Sequence, residues 1–403
     1  MLARWHLVAF VMVAACKIPD VAFTRTPNDA GDVAGDGASD GVTRDAAAAA
    51  DAATSGCPQP GFLSSVGYTT GETPRAIAIA DVSRDGKLDL VVANAGDNTV
   101  SVLTGNGDGT FQAKVDYATG STPSGMAVAD LTGDGHPDIV VANLIASTVS
   151  VLVGNGNGTF GAKVDYSTGM NPLAVAVADM SGDGKPDLVV ANEYADSVTV
   201  LVGNGDGTFQ AKVDYPTGVR PVAVTAADVS GDGDPDLLVV NYDASTVSVL
   251  VGNAGNGTFQ AKVDYPTGAG PVSTAVADVS GDSKLDLVVV NSTSNTLSVL
   301  LGNGNGTFQT KIDFQTDMGP IGGVVADVTG DGTPDIILAN YPGNTVSVMG
   351  GNDNGTFRAK VNYPTGVHPR AVAVADVNGD GLPDLVTPNE GDNSVGVLAA
   401  CHP

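Results

Sequence analysis

Asp81-Val82-Ser83-Arg84-Asp85-Gly86-Lys87-Leu88-Asp89, followed at once by Leu90-Val91-Val92-Ala93, decides how this chain folds. The same nine-residue pattern, D-x-[S/T/N]-x-D-[G/S]-x-x-D, restarts at Asp130, Asp179, Asp228, Asp278, Asp327 and Asp376. The interval is 49 residues throughout, except for 50 between Asp228 and Asp278. A constant period of this length marks repeated supersecondary units, none of which can bury its apolar face alone.

One unit spans Ala76 to Gly120. Ala76 to Ala80 is a strand of small residues leading into the aspartate loop. Leu90 to Ala93 is a continuous apolar run, as expected of a strand covered on both faces. Thr99 to Leu103 leads into a glycine turn, Gly105 to Gly109, and Phe111, Ala113, Val115 and Tyr117 then alternate with Gln112, Lys114 and Asp116. No helical period appears. The pattern predicts an all-β, seven-bladed β-propeller with four-stranded antiparallel blades. Lys114, Lys163, Lys212, Lys262, Lys311 and Lys360 recur on the fourth strand, where lysine guards an exposed sheet edge.

The ends of the repeat predict closure. Phe62 to Gly71 aligns with Phe111 to Gly120, so the array starts with a fourth strand; it stops after Val395 to Leu398, a third strand. The amino-terminal strand should complete the last blade. Cys57 and Cys401 map to the same point of the repeat, which predicts a disulfide between them in an oxidising compartment. Closing so long a loop is worth about 4–5 kcal/mol in the chain-entropy model.

Of the 45 acidic residues only Glu72, Glu193 and Glu390 are glutamates, and the net charge is −27. Short carboxylates concentrated in tight loops suit hard cations, whereas a surface of this sign repels nucleic acid and anionic lipid. Residues 1–16 read as an export signal: Arg4, the apolar core Leu7 to Ala15, and Val13-Ala14-Ala15 before Cys16. The core is too short to span a bilayer. Its ending resembles the bacterial lipobox, which implies lipidation of Cys16 and a bacterial cell-envelope location, at the outer membrane or cell surface. Residues 17–58, rich in Ala, Asp and Gly, read as a disordered tether, and 59–403 as the propeller.

In each loop, positions one, three, five and nine offer side-chain oxygens, and glycine at six permits the tight turn. Position one is Asp81, Asp130, Asp179, Asp228, Asp278, Asp327 and Asp376; position three is Ser83, Thr132, Ser181, Ser230, Ser280, Thr329 and Asn378. Position five is Asp85, Asp134, Asp183, Asp232, Asp282, Asp331 and Asp380; position nine is Asp89, Asp138, Asp187, Asp236, Asp286, Asp335 and Asp384. Up to seven Ca2+ ions are expected, one per blade, with dissociation constants of about 10⁻⁴–10⁻³ M. The competing reading is an Asp-capped turn that needs no metal.

The stretch DVNGDGLPDLV, Asp376 to Val386, resembles the bacterial form of the FG-GAP and VCBS-type repeats, whose relatives include the integrin α-subunit propellers. The resemblance covers residues 61 to 400 and implies calcium on the aspartates at positions one, five and nine. Ser283 stands where the other loops have glycine, so the fifth site should be the weakest; Asp234 adds a carboxylate to the fourth. The glycine segments such as GNGDGTF, Gly105 to Phe111, read as plain hairpin turns.

Antiparallel order sends the cation loops and glycine turns to one face. The opposite face collects the loops that differ between copies, with Arg75, Glu193, Tyr194, Arg220, Tyr242, Tyr341, His368, Arg370 and Glu390 as candidate ligand-binding residues. No nucleophile–base or zinc spacing is evident. The sequence therefore points to a non-enzymatic, monomeric module that binds a protein or glycan and reaches the membrane only through its lipid. A carbohydrate-active, lyase-like enzyme and a purely structural envelope protein are the alternatives; among the tyrosines only Tyr194, Tyr242 and Tyr341 are placed to stack on a sugar.

Overall fold

A computed structural model describes residues 61–253 and 255–401. Seven four-stranded antiparallel sheets follow one another around a ring. In blade one the strands are Pro74–Ala80, Asp89–Asn94, Thr99–Leu103 and Val115–Ala118, paired in sequence order. The first strands of neighbouring blades touch around the axis. The second strand is buried at all six positions in every blade, which is why it reads as an unbroken apolar run.

Ring closure follows the expected route. Blade seven takes its first three strands from Ala373–Ala375, Asp384–Asn389 and Ser394–Leu398, and its fourth from Val66–Thr69 at the other end of the repeat array. Tyr68 pairs with Val395 and Val66 with Val397. A short ribbon, Gly61–Phe62 against Ala400–Cys401, extends the closure and pairs Gly61 with Cys401. Cys57 lies outside the described residues, as do Cys16, the signal and the tether.

The fourth strand is shorter than its alternation suggests. It begins at Val115, and Phe111 makes only a bridge to Gly105. The Phe111 ring instead reaches the previous blade and meets Tyr68 edge to face at 5.2 Å. The same contact joins Tyr117 to Phe160, Tyr166 to Phe209, Tyr215 to Phe259, Tyr265 to Phe308, Phe314 to Phe357 and Tyr363 to Phe62, so every blade junction carries one aromatic pair. The Tyr166 hydroxyl also donates to Gly207 O in the next blade, 3.1 Å away. These tyrosines are core, as their repeated position requires.

The recurrent lysines do more than guard an edge. Lys114, just before the fourth strand, pairs with Asp116 within it, and Ser101 Oγ donates to the other oxygen of that carboxylate at 2.6 Å. The serine in turn accepts from Asn94 Nδ2 at 2.8 Å. The chain Asn–Ser/Thr–Asp recurs in blades one to five and crosses three strands, tying the exposed edge to the buried second strand. Blade six carries Asn362 where the aspartate is expected. There Asp317, at a position held by glycine in the other blades, accepts from Asn362 and pairs with Lys360. The charge is moved within the network and kept.

Candidate functional site

Each cation loop wraps around its first aspartate. Asp81 accepts N–H bonds from Asp85 (3.1 Å) and Gly86 (2.9 Å), and Ser83 Oγ lies 3.4 Å from the same carboxylate. Position five accepts the N–H of position seven in all seven loops. Position nine is wholly buried and faces inward: Asp187 accepts from Met180, Ser181 and, across the blade, Gly203. The glycine turns are not plain hairpins either. Gly158 N–H donates to Val82 O at 3.1 Å, stitching the turn of blade two to the loop of blade one, and five further junctions repeat the bond. Loop and turn therefore form a belt that crosses six of the seven blade junctions among the described residues.

The donor set fits a hard cation through its charge. Burial pushes up the carboxyls of Asp89, Asp138, Asp187, Asp236, Asp286 and Asp384, the last to about 6, and the neighbouring charges acting on Asp138 and Asp384 are further aspartates of the same loops. Backbone N–H bonds satisfy these carboxylates in part, and a buried carboxylate beside like charges favours a counter-charge. Among the described residues no group of three or more His, Cys, Asp or Glu side chains converges as a metal cluster. The reason is visible: position nine is turned to backbone N–H groups, and position three is a hydroxyl in six loops. Side-chain cations lie beside position five at Lys87, Lys185, Lys284 and Arg358, and the His136 ring lies beside Asp134, whereas the fourth and seventh loops carry Asp234 and Leu382 at position seven. Ser283 takes φ 65, the left-handed conformation its glycine counterparts hold.

The variable face is built on a fixed frame. In every blade the residue before a proline, from Thr73 to His368, has positive φ. Its N–H is held in five of the seven by an Asn or Asp side chain of the preceding blade, as Thr73 N–H is by Asn393 Oδ1 at 2.9 Å. On this frame the candidate residues fall into two clusters. In the first, Arg220 binds Glu193 Oε1 through two nitrogens at 2.8 Å, lies 3.5 Å from Asp243, and stacks its guanidinium 4.7 Å over the Tyr242 ring. Glu193 is fully buried, and its Oε2 has no hydrogen-bond partner. In the second, Arg370 pairs with Glu390 and stacks 4.7 Å over Tyr341, whose ring also stacks with His368 at 4.4 Å. The Tyr341 hydroxyl bonds to Glu390, burial pushes it up, and Arg75 of blade one lies near enough to act on both groups.

Tyr242 and Tyr341 therefore have rings already engaged by arginine. Tyr194 alone of the three candidate stacking tyrosines is open, with 59% of its surface exposed, and Met170 stands beside it on the hydrogen-bonded neighbouring loop.

The sequence pattern of the FG-GAP-like repeat matches residues 81–141, 130–190, 179–239, 228–289, 278–338 and 327–387, each window opening on a position-one aspartate. The chain belongs to the FG-GAP-like repeat family. No curated protein matches it in sequence. Among solved structures, this FG-GAP ring is similar to BBS1N in a complex with ARL6DN, at 14% identity and TM-score 0.60, covering 85% of this chain and 97% of that one. It is also similar to an Agrocybe aegerita lectin described as recognising non-reducing terminal N-acetylglucosamine, at 23% identity and TM-score 0.53, over 72% and 80% of the two chains. A third is virginiamycin B lyase from Staphylococcus aureus, at 14% identity and TM-score 0.55, over 85% and 99%. At these identities the likeness is one of fold.

Position four of the FG-GAP loop escaped the sequence reading. It is left-handed in all seven copies and glycine in six, with Arg84 (φ 57) the exception. The signal was present as the repeated S/T/N-G-D, masked because the first loop, read as the type example, is the one that breaks it.

Proposed function

We propose that this protein is a calcium-stabilised binding module, rather than an enzyme, displayed on the bacterial cell envelope through a lipid on Cys16. On this reading a protein or glycan docks on the variable-loop face, and calcium in the seven loops locks the opposite face. The observation that carries the reading is the contrast in exposed side chains. The variable face presents Ile145 (66% exposed), Met170 (58%), Tyr194 (59%) and Val219 (54%) on the consecutive loops of blades two to four, beside the Glu193–Arg220–Asp243 cluster. Open apolar side chains bordered by fixed polar groups are what recognition surfaces use. A ring held together by the loop belt leaves that face free to vary.

The calcium part rests on a buried position-nine carboxylate with two further aspartates of its loop acting on it, as at Asp384, and the bridge between Cys57 and Cys401 on the closure that pairs Gly61 with Cys401. The test is a glycan and envelope-protein array probed in millimolar calcium with the native chain and with Tyr194→Ala. Retained folding with lost binding in the variant supports the reading. Equal binding by both forms places recognition elsewhere and refutes the use of this surface.

A further inference from the structure

The apolar row on the variable face is not required by the fold, and the internal repeat shows why. Two loop positions build it. The first lies two residues after the buried asparagine of the second strand. It is Gly96 in blade one and Thr293 in blade five, but Ile145 in blade two and Tyr194 in blade three. The second lies in the loop that enters each blade. It is Glu72 in blade one and Ser121 in blade two, but Met170 and Val219 in blades three and four. The two positions are neighbours: Tyr194 N–H donates to Met170 O, as Gly96 N–H does to Glu72 O. Glycine, glutamate, serine and threonine serve the same backbone, so packing does not select the apolar residues. Each keeps more than half of its surface in water and contributes little to the core.

The charges that border this row have one sign at the surface. Asp196 is exposed, and the Asp243 side chain is 51% exposed. Arg220 is the one arginine or lysine in the variable-face loops of blades two to four. It is turned inward, at 13% exposure, against the buried Glu193. The lysines of these blades stand elsewhere. Lys163 and Lys212 precede Val164–Ser167 and Val213–Pro216, at the ends away from the variable loops, and pair with Asp165 and Asp214. Lys185 lies in a cation loop beside Asp183.

We propose that Ile145, Met170, Tyr194 and Val219, rimmed by Asp196 and Asp243, dock a basic segment of another protein that carries an apolar anchor among its lysines or arginines. Three of the four contact residues are aliphatic or thioether side chains, which give a sugar no ring face to stack on. Methionine and tyrosine are residues that protein interfaces enrich, and methionine adapts to the shape of a partner. Carboxylates at the rim steer a cationic partner inward and exclude anionic ones. A second copy of this chain would bring the same acids and a net charge of −27, and is repelled. The inference names the partner class for the face already proposed to bind, and it rests on that reading.

The experiment pans a random-peptide phage library on the full chain in millimolar calcium and about 0.15 M salt. Counter-selection uses the double variant Met170→Ala, Tyr194→Ala. That variant keeps the net charge, so peptides held only by the acidic loops of the other face are removed. The enriched peptides should be rich in lysine or arginine and carry an aromatic or aliphatic residue. Made synthetically, they should bind the double variant at least about tenfold more weakly than the native chain. Asp243→Asn should weaken them severalfold and flatten their salt dependence. Val263→Ala, at an exposed valine on the outer edge of blade four, should leave them unchanged. All these variants replace largely exposed side chains and should melt with the native chain. No enrichment over the double variant, enrichment of neutral or acidic peptides, or indifference to Asp243→Asn overturns the proposal. If the glycan array instead yields a sugar that Tyr194→Ala loses, the partner class falls and the binding face stands. If neither peptide nor glycan depends on Tyr194, both readings fall.

Discussion

On one face of the ring Asp81 and each of its six counterparts accept the same two backbone N–H bonds, from positions five and six of their loops. On the other, the position after the buried asparagine is Ala95, Leu144, Glu193, Tyr242, Ser292, Tyr341 or Glu390. Both faces are made by the same seven units on the same strands. The difference lies in what each loop must touch. A cation loop bonds its own strand ends, the glycine turn of its own blade through position nine, and the turn of the next blade through position two, so a change in one copy disturbs its neighbour. A variable loop is fixed by backbone bonds and one Asn or Asp cap, which leaves its remaining side chains free.

The largest test of that contrast is Asp187→Ala. It strands three backbone donors in a buried belt and should cost roughly 4 kcal/mol in urea unfolding, taking about 1–3 kcal/mol for each orphaned group. A cost under about 1 kcal/mol would mean that the belt is not what holds the blades. Tyr166→Phe keeps the ring contact and removes only the bond to Gly207 O, so a loss of about 1 kcal/mol is expected. Ser283→Gly should run the other way and stabilise by about 1 kcal/mol, since it relieves a left-handed serine in the belt. Tyr194→Ala on the variable face should change stability by less than about 0.5 kcal/mol.

The variable face also carries its own pH signature. Burial acts to raise the Glu390 carboxyl, but Arg370 overcomes it and holds the group below its ordinary value of 4.5. A depressed folded value means that the stabilisation is present above about 4.5 and is lost as pH falls through the folded value. Unfolding measured from pH 6 to pH 3 should therefore show an acid-side loss that is reduced in Glu390→Gln.

Much of this was legible from spacing alone. The 49-residue period, the continuous run Leu90 to Ala93 and the fourth-strand alignment of Phe62 to Gly71 lead to seven blades and to the closing strand, because each reports a constraint that acts within one repeat. What stayed hidden acts between repeats. Phe111 looked like the start of a strand and is a plug against Tyr68; the glycine turn looked self-contained and bonds the loop next door; Lys114 looked like an edge guard and anchors a buried relay. Periodicity says which residues recur and does not say which copy they touch. The variable face was located by its failure to repeat, but the engagement of Tyr242 and Tyr341 by arginine depends on geometry across blades.

The central claim is that bound calcium neutralises the loop belt and so holds the ring together. Thermal unfolding of the oxidised native chain in millimolar calcium and in EGTA tests it most directly. A melting temperature that rises markedly with calcium concentration, as ligand binding to the folded state alone requires, is the predicted result. A melting temperature unmoved by calcium would contradict it and leave the seven loops as turns capped by their own backbone.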